Sequence, residues 1–68
     1  MRLTPLTESC GANSCPQVYS TDRGTVVVQG ALLDAAALGV ATDEGEVLVE
    51  IPGELFQAAA AARRVGQA

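Results

Sequence analysis

The 68-residue chain has no histidine, no lysine and no tryptophan, and only one phenylalanine and one tyrosine. Without histidine it lacks the commonest general base, proton shuttle and metal ligand. Without lysine it has no Schiff-base amine. Neither nucleotide-binding glycine pattern is present, and no serine stands in a nucleophile elbow. Catalysis by carboxylates alone would need a cleft, for which a chain of this length has little room. The densest acids, Asp43-Glu44-Gly45-Glu46, are expected as a solvated turn and strand face, since acids are mostly exposed. The expected protein is not an enzyme.

Positive charge is also scarce. Arg2, Arg23, Arg63 and Arg64 stand against eight acidic residues, for a net charge of −4. Binding a phosphate backbone takes clustered cations, so no direct nucleic-acid partner is expected. An acidic surface suits docking on a basic protein, such as one that itself binds nucleic acid. No apolar run approaches the ~20 residues that cross a bilayer. The N-terminus, Met1-Arg2-Leu3-Thr4-Pro5, lacks the apolar core of a signal peptide. The expected location is therefore cytoplasmic, with no membrane partner.

The two cysteines, Cys10 and Cys15, are the only soft ligands. A structural zinc site wants four ligands and one chain supplies two, so zinc requires a site shared across a dimer. A disulfide across four intervening residues is sterically allowed, and in a reducing compartment it acts as a redox switch rather than a staple. The third reading, toward which the balance leans, is that the thiols are small buried hydrophobes, a common fate of free cysteine. No cofactor is expected; the alternative is zinc, or thiol redox chemistry, at Cys10 and Cys15.

What is present is the pattern of a small α+β domain. Residues 1–14 hold Pro5, Gly11 and Asn13 without periodicity and predict an irregular arm before a single domain over 15–66. Gln17 to Ser20 is a short strand, Thr21-Asp22-Arg23-Gly24 a turn, and Thr25 to Leu32 a second strand, with Gly30 marking a bulge or close approach. Asp34 suits the N-cap and Gly39 the C′ position of one helical turn. After the polar turn Thr42 to Gly45, Glu46 to Ile51 alternates as a third strand. Pro52-Gly53 breaks it, and Glu54 to Val65 has the composition of a helix, with Leu55, Phe56, Ala59, Ala62 and Val65 as its packing stripe. The expectation is an antiparallel sheet of about three strands under a C-terminal helix.

The order of these features resembles a known family. Asn13-Ser14-Cys15 leads into Val18-Tyr19, a turn ends at Gly24, Thr25-Val26-Val27-Val28-Gln29 follows, and an acidic strand and a terminal helix close the chain. This is similar to the small actinobacterial accessory proteins of the BldB type, encoded beside helix-turn-helix regulators of the WhiJ kind, across roughly residues 10–62. Those relatives often carry a tryptophan early in the helix and an Arg-Asp pair after the valine-rich strand. Here Leu55-Phe56 and Gln29-Gly30 occupy those places, as in a sister family. The resemblance implies an accessory protein that binds and modulates a DNA-binding regulator.

A core without tryptophan is thin, and association with another chain, including a homodimer, helps complete it. One helix covers one face of a sheet. With Val26/Val28 and Val47/Val49/Ile51 as the inward sets, Val27 and Leu48, with Tyr19 beside them, form the expected exposed interaction patch.

Overall fold

The structure is a computed structural model describing residues 1–8 and 15–66, the last two of these by backbone alone. The fold is α+β. Strands β1 (Leu3–Pro5), β2 (Gln17–Thr21) and β3 (Val26–Gln29) form an antiparallel sheet in that order. Strands β4 (Ala31–Leu33) and β5 (Leu48–Glu50) pair antiparallel as a separate ribbon, and helix α1 (Gly53–Gly66) closes the chain.

Local chemistry explains the turns. Asp22-Arg23-Gly24 links β2 to β3, with Gly24 at φ 77°, and Thr21 N donates to the Thr25 carbonyl at 3.0 Å. A three-residue hairpin loop whose last residue is left-handed is a favoured solution, and glycine takes that conformation without strain. The side chain that stitches the turn is that of Thr21, whose Oγ1 accepts from Arg23 N at 3.1 Å. Asp22 instead accepts from Arg2 N at 3.2 Å and ties down the N-terminus.

The single helical turn is capped as expected. Asp34 Oδ1 accepts from Ala36 N and Ala37 N at 3.1 and 3.4 Å. At the other end Val40 N donates to Ala35 O and Gly39 N to Ala36 O, with Gly39 at φ 74°, a Schellman closure.

Three expectations need correction. The strand read over Thr25 to Leu32 is interrupted at Gly30, and its second half, β4, pairs with β5 rather than continuing the first sheet. The acidic strand is therefore not the third strand of that sheet. That place belongs to β1, inside the segment read as an irregular arm.

What holds β1 is long-range. Leu6 N donates to the Val18 carbonyl at 2.9 Å. The buried Gln17 amide grips Thr7 twice: its Oε1 accepts from Thr7 Oγ1 at 2.6 Å, and its Nε2 donates to Thr7 O at 3.1 Å. Pro5, which has no N–H to give, sits at the end of an edge strand, where it costs no ladder bond.

The core is sparse. Among the described residues Val18 and Ala59 are the only buried apolar ones, with Gln17 and Ser20 the buried polar ones. Helix α1 lies against β2. Of the expected packing stripe, Ala59 is buried and Leu55 and Ala62 are half-buried. Phe56 is 65% exposed, and the side chain of Val65 lies outside the described residues. The helix rests over the middle strand, so Phe56, on its flank, overhangs β3 without being covered.

The deficit can be measured as area. A folded monomer of 6.9 kDa exposes about 4,000 Å², whereas this chain exposes 5261 Å². Its radius of gyration is 13.2 Å, against about 11 Å for a compact chain of this length.

Candidate interaction surface

Tyr19 and Val27 are directly opposite each other on β2 and β3, and Tyr19 Oη donates to Gln29 Oε1 at 3.1 Å. Leu48 is not with them. It lies on β5, opposite Leu33, in the other sheet.

All three residues are half-buried, not exposed. Val26 and Val28 do face the helix side, with Val18, but both are exposed. Of the set expected inside, Val47 is 67% exposed and Val49 is exposed while Ile51 is half-buried, and Leu48, expected outside, is partly covered. The expected patch of Tyr19, Val27 and Leu48 is thus divided between two sheets, and the exposed apolar surface falls on their neighbours.

Two apolar surfaces result. The first is a groove of about 340 Å³ between α1 and β3, lined by Val18, Val26 and Val28 of the sheet and by Phe56, Ala60 and Arg63 of the helix. Arg63 Nη2 reaches the Gly24 carbonyl at 3.4 Å, and its buried Nε finds no partner among the described residues. The second surface is one face of the ribbon, where Leu32 and Val49 stand directly opposite each other and Leu32 is 72% exposed. Sequence reasoning missed Phe56, Leu32 and Val49. The usable signal was Gly30, a backbone break between two strands that alternation alone would join.

The cysteine question resolves at one of its two positions. Cys15 is half-buried and disulfide-bonded, not a free thiol packed as a small hydrophobe. Cys10 lies outside the described residues. Among the described residues no group of three or more metal-ligating side chains comes together. The acids Asp43, Glu44 and Glu46 are exposed, and Glu46 Oε1 accepts from Asp43 N at 2.8 Å, stabilising its own turn. No helix among the described residues is long and apolar enough to cross a membrane. No protein-family model, curated protein or solved structure matches the chain.

Proposed function

We propose that the protein is a small non-enzymatic interaction module, an accessory protein that binds and modulates a DNA-binding regulator in the cytoplasm. The observation that carries this reading is the exposed Leu32–Val49 pair on the β4–β5 ribbon. A two-stranded ribbon is marginal by itself in water, and an exposed apolar face with open edges fits a protein partner that adds a strand or covers the face. Net charge −4 favours a partner with a basic surface, the property a DNA-binding protein has. The regulator identity comes from the family resemblance.

The test is a photo-crosslinking amino acid at position 32 in the native host, with adducts identified by mass spectrometry. The reading predicts a DNA-binding protein as the main adduct and its loss when Val49→Asp is added. Adducts formed only with the chain itself would overturn it.

A second reading has one observation in its favour. The disulfide at Cys15 supports thiol redox behaviour over zinc, because only a thiolate ligates metal. Zinc shared across a dimer by Cys10 and Cys15 would require the reduced form. Metal analysis of reduced, dialysed protein separates the two: about half a zinc per chain supports the metal site, and none removes it.

A further inference from the structure

We infer that the groove between α1 and β3 is filled by a second copy of this chain, in a two-fold dimer whose α1 helices cross antiparallel at Ala60. This stands apart from the regulator reading, which uses the ribbon.

The chain exposes 5261 Å², about 1,300 Å² above the expectation for its mass. A standard interface removes about 800 Å² from each partner, so one such contact takes up much of the excess.

Val26, Val28 and Phe56 are exposed and line the same groove. Phe56 is the chain's single phenylalanine. Aromatic anchors beside an unfilled apolar groove are what interface centres are made of.

A two-fold contact uses the same patch on both chains, so each protomer must offer both a knob and a hole. Here they are adjacent: Phe56 stands exposed at the rim of the groove that the partner's helix would cover. Helical spacing sets Phe56 and Ala60 one turn apart on one side of α1, and Arg64 a further turn on. With Ala60 at the two-fold axis, its small side chain lets the helices approach closely. Phe56 of one copy then faces Arg64 of the other, four residues or about 6 Å from the axis on each helix, an arrangement that allows the guanidinium to stack on the ring.

The test combines mass and symmetry. Sedimentation equilibrium of the wild type should give a dimer in the micromolar range. Phe56→Ala, at an exposed position, should keep the native circular dichroism at concentrations where it is still dimeric, and weaken the dimer at least about thirtyfold. A residue on a two-fold axis meets itself, so Ala60→Cys under mild oxidation should yield a covalent dimer. Ala61→Cys, pointing away from the groove, should not. A monomer up to about 1 mM, a Phe56→Ala variant that dimerises like the wild type, or equal crosslinking at positions 60 and 61 would each overturn the inference.

Discussion

Gly30 and Glu50 are in close backbone contact: a Cβ on Gly30 would lie 2.5 Å from the Glu50 carbonyl oxygen and 2.7 Å from Ile51 Cγ2. No side chain fits there without moving β5. Gly30 lies between β3 and β4, and Ala31 beside it pairs with Glu50, so the close approach is at the first rung of the ribbon. Gly30→Ala should therefore destabilise the fold by about 1–3 kcal/mol, the usual cost of overpacking, read as a lowered urea midpoint. A midpoint unchanged from wild type would mean that β5 yields to a side chain at this point.

The grip of Gln17 on Thr7 gives a second expectation. Gln17 Oε1 also accepts from Val18 N at 2.9 Å, so the buried amide satisfies backbone as well as side-chain groups. Gln17→Leu should cost about 1–3 kcal/mol by leaving these groups unpaired. The loss should appear first as faster amide hydrogen exchange at Leu3, Thr4 and Leu6, because those residues depend on this anchor. Uniform acceleration across all strands would contradict a local role.

These two contacts show where the sequence was legible. The turns at Thr21 to Gly24 and Asp34 to Gly39 were readable because their hydrogen bonds close within a few residues, and the helix was readable from composition. The α+β class followed from those pieces. Strand partnership was not readable: β1 depends on Gln17 and Val18, and β4 depends on β5, across gaps that no local pattern records. The interaction surface failed for a related reason. Alternation assigns residues to two faces but does not say which face is covered, so it puts Val49 inside and Leu48 outside, where the structure covers Leu48 more than Val49.

The disulfide at Cys15 should be dispensable. A disulfide typically contributes about 2–4 kcal/mol. Reduction, or Cys10→Ala with Cys15→Ala, should therefore lower the midpoint while leaving a folded protein with native circular dichroism. Complete unfolding on reduction would make the bond the main staple of the fold.

The net negative charge sets the protein's behaviour toward DNA. With net charge −4 and no lysine, the isolated protein should not shift a duplex probe even at low salt, where electrostatic binding is strongest. A salt-sensitive complex would show that its four arginines form a binding surface after all.

A thin fold completed by a second chain is tested most directly by the urea midpoint as a function of protein concentration. Unfolding of a dimer to two free chains gains about 1.4 kcal/mol of apparent stability per tenfold increase in concentration. The midpoint should then rise by about half a molar per decade between micromolar and millimolar protein. A midpoint that stays constant over that range would show that the monomer is the complete folding unit, and would contradict the account.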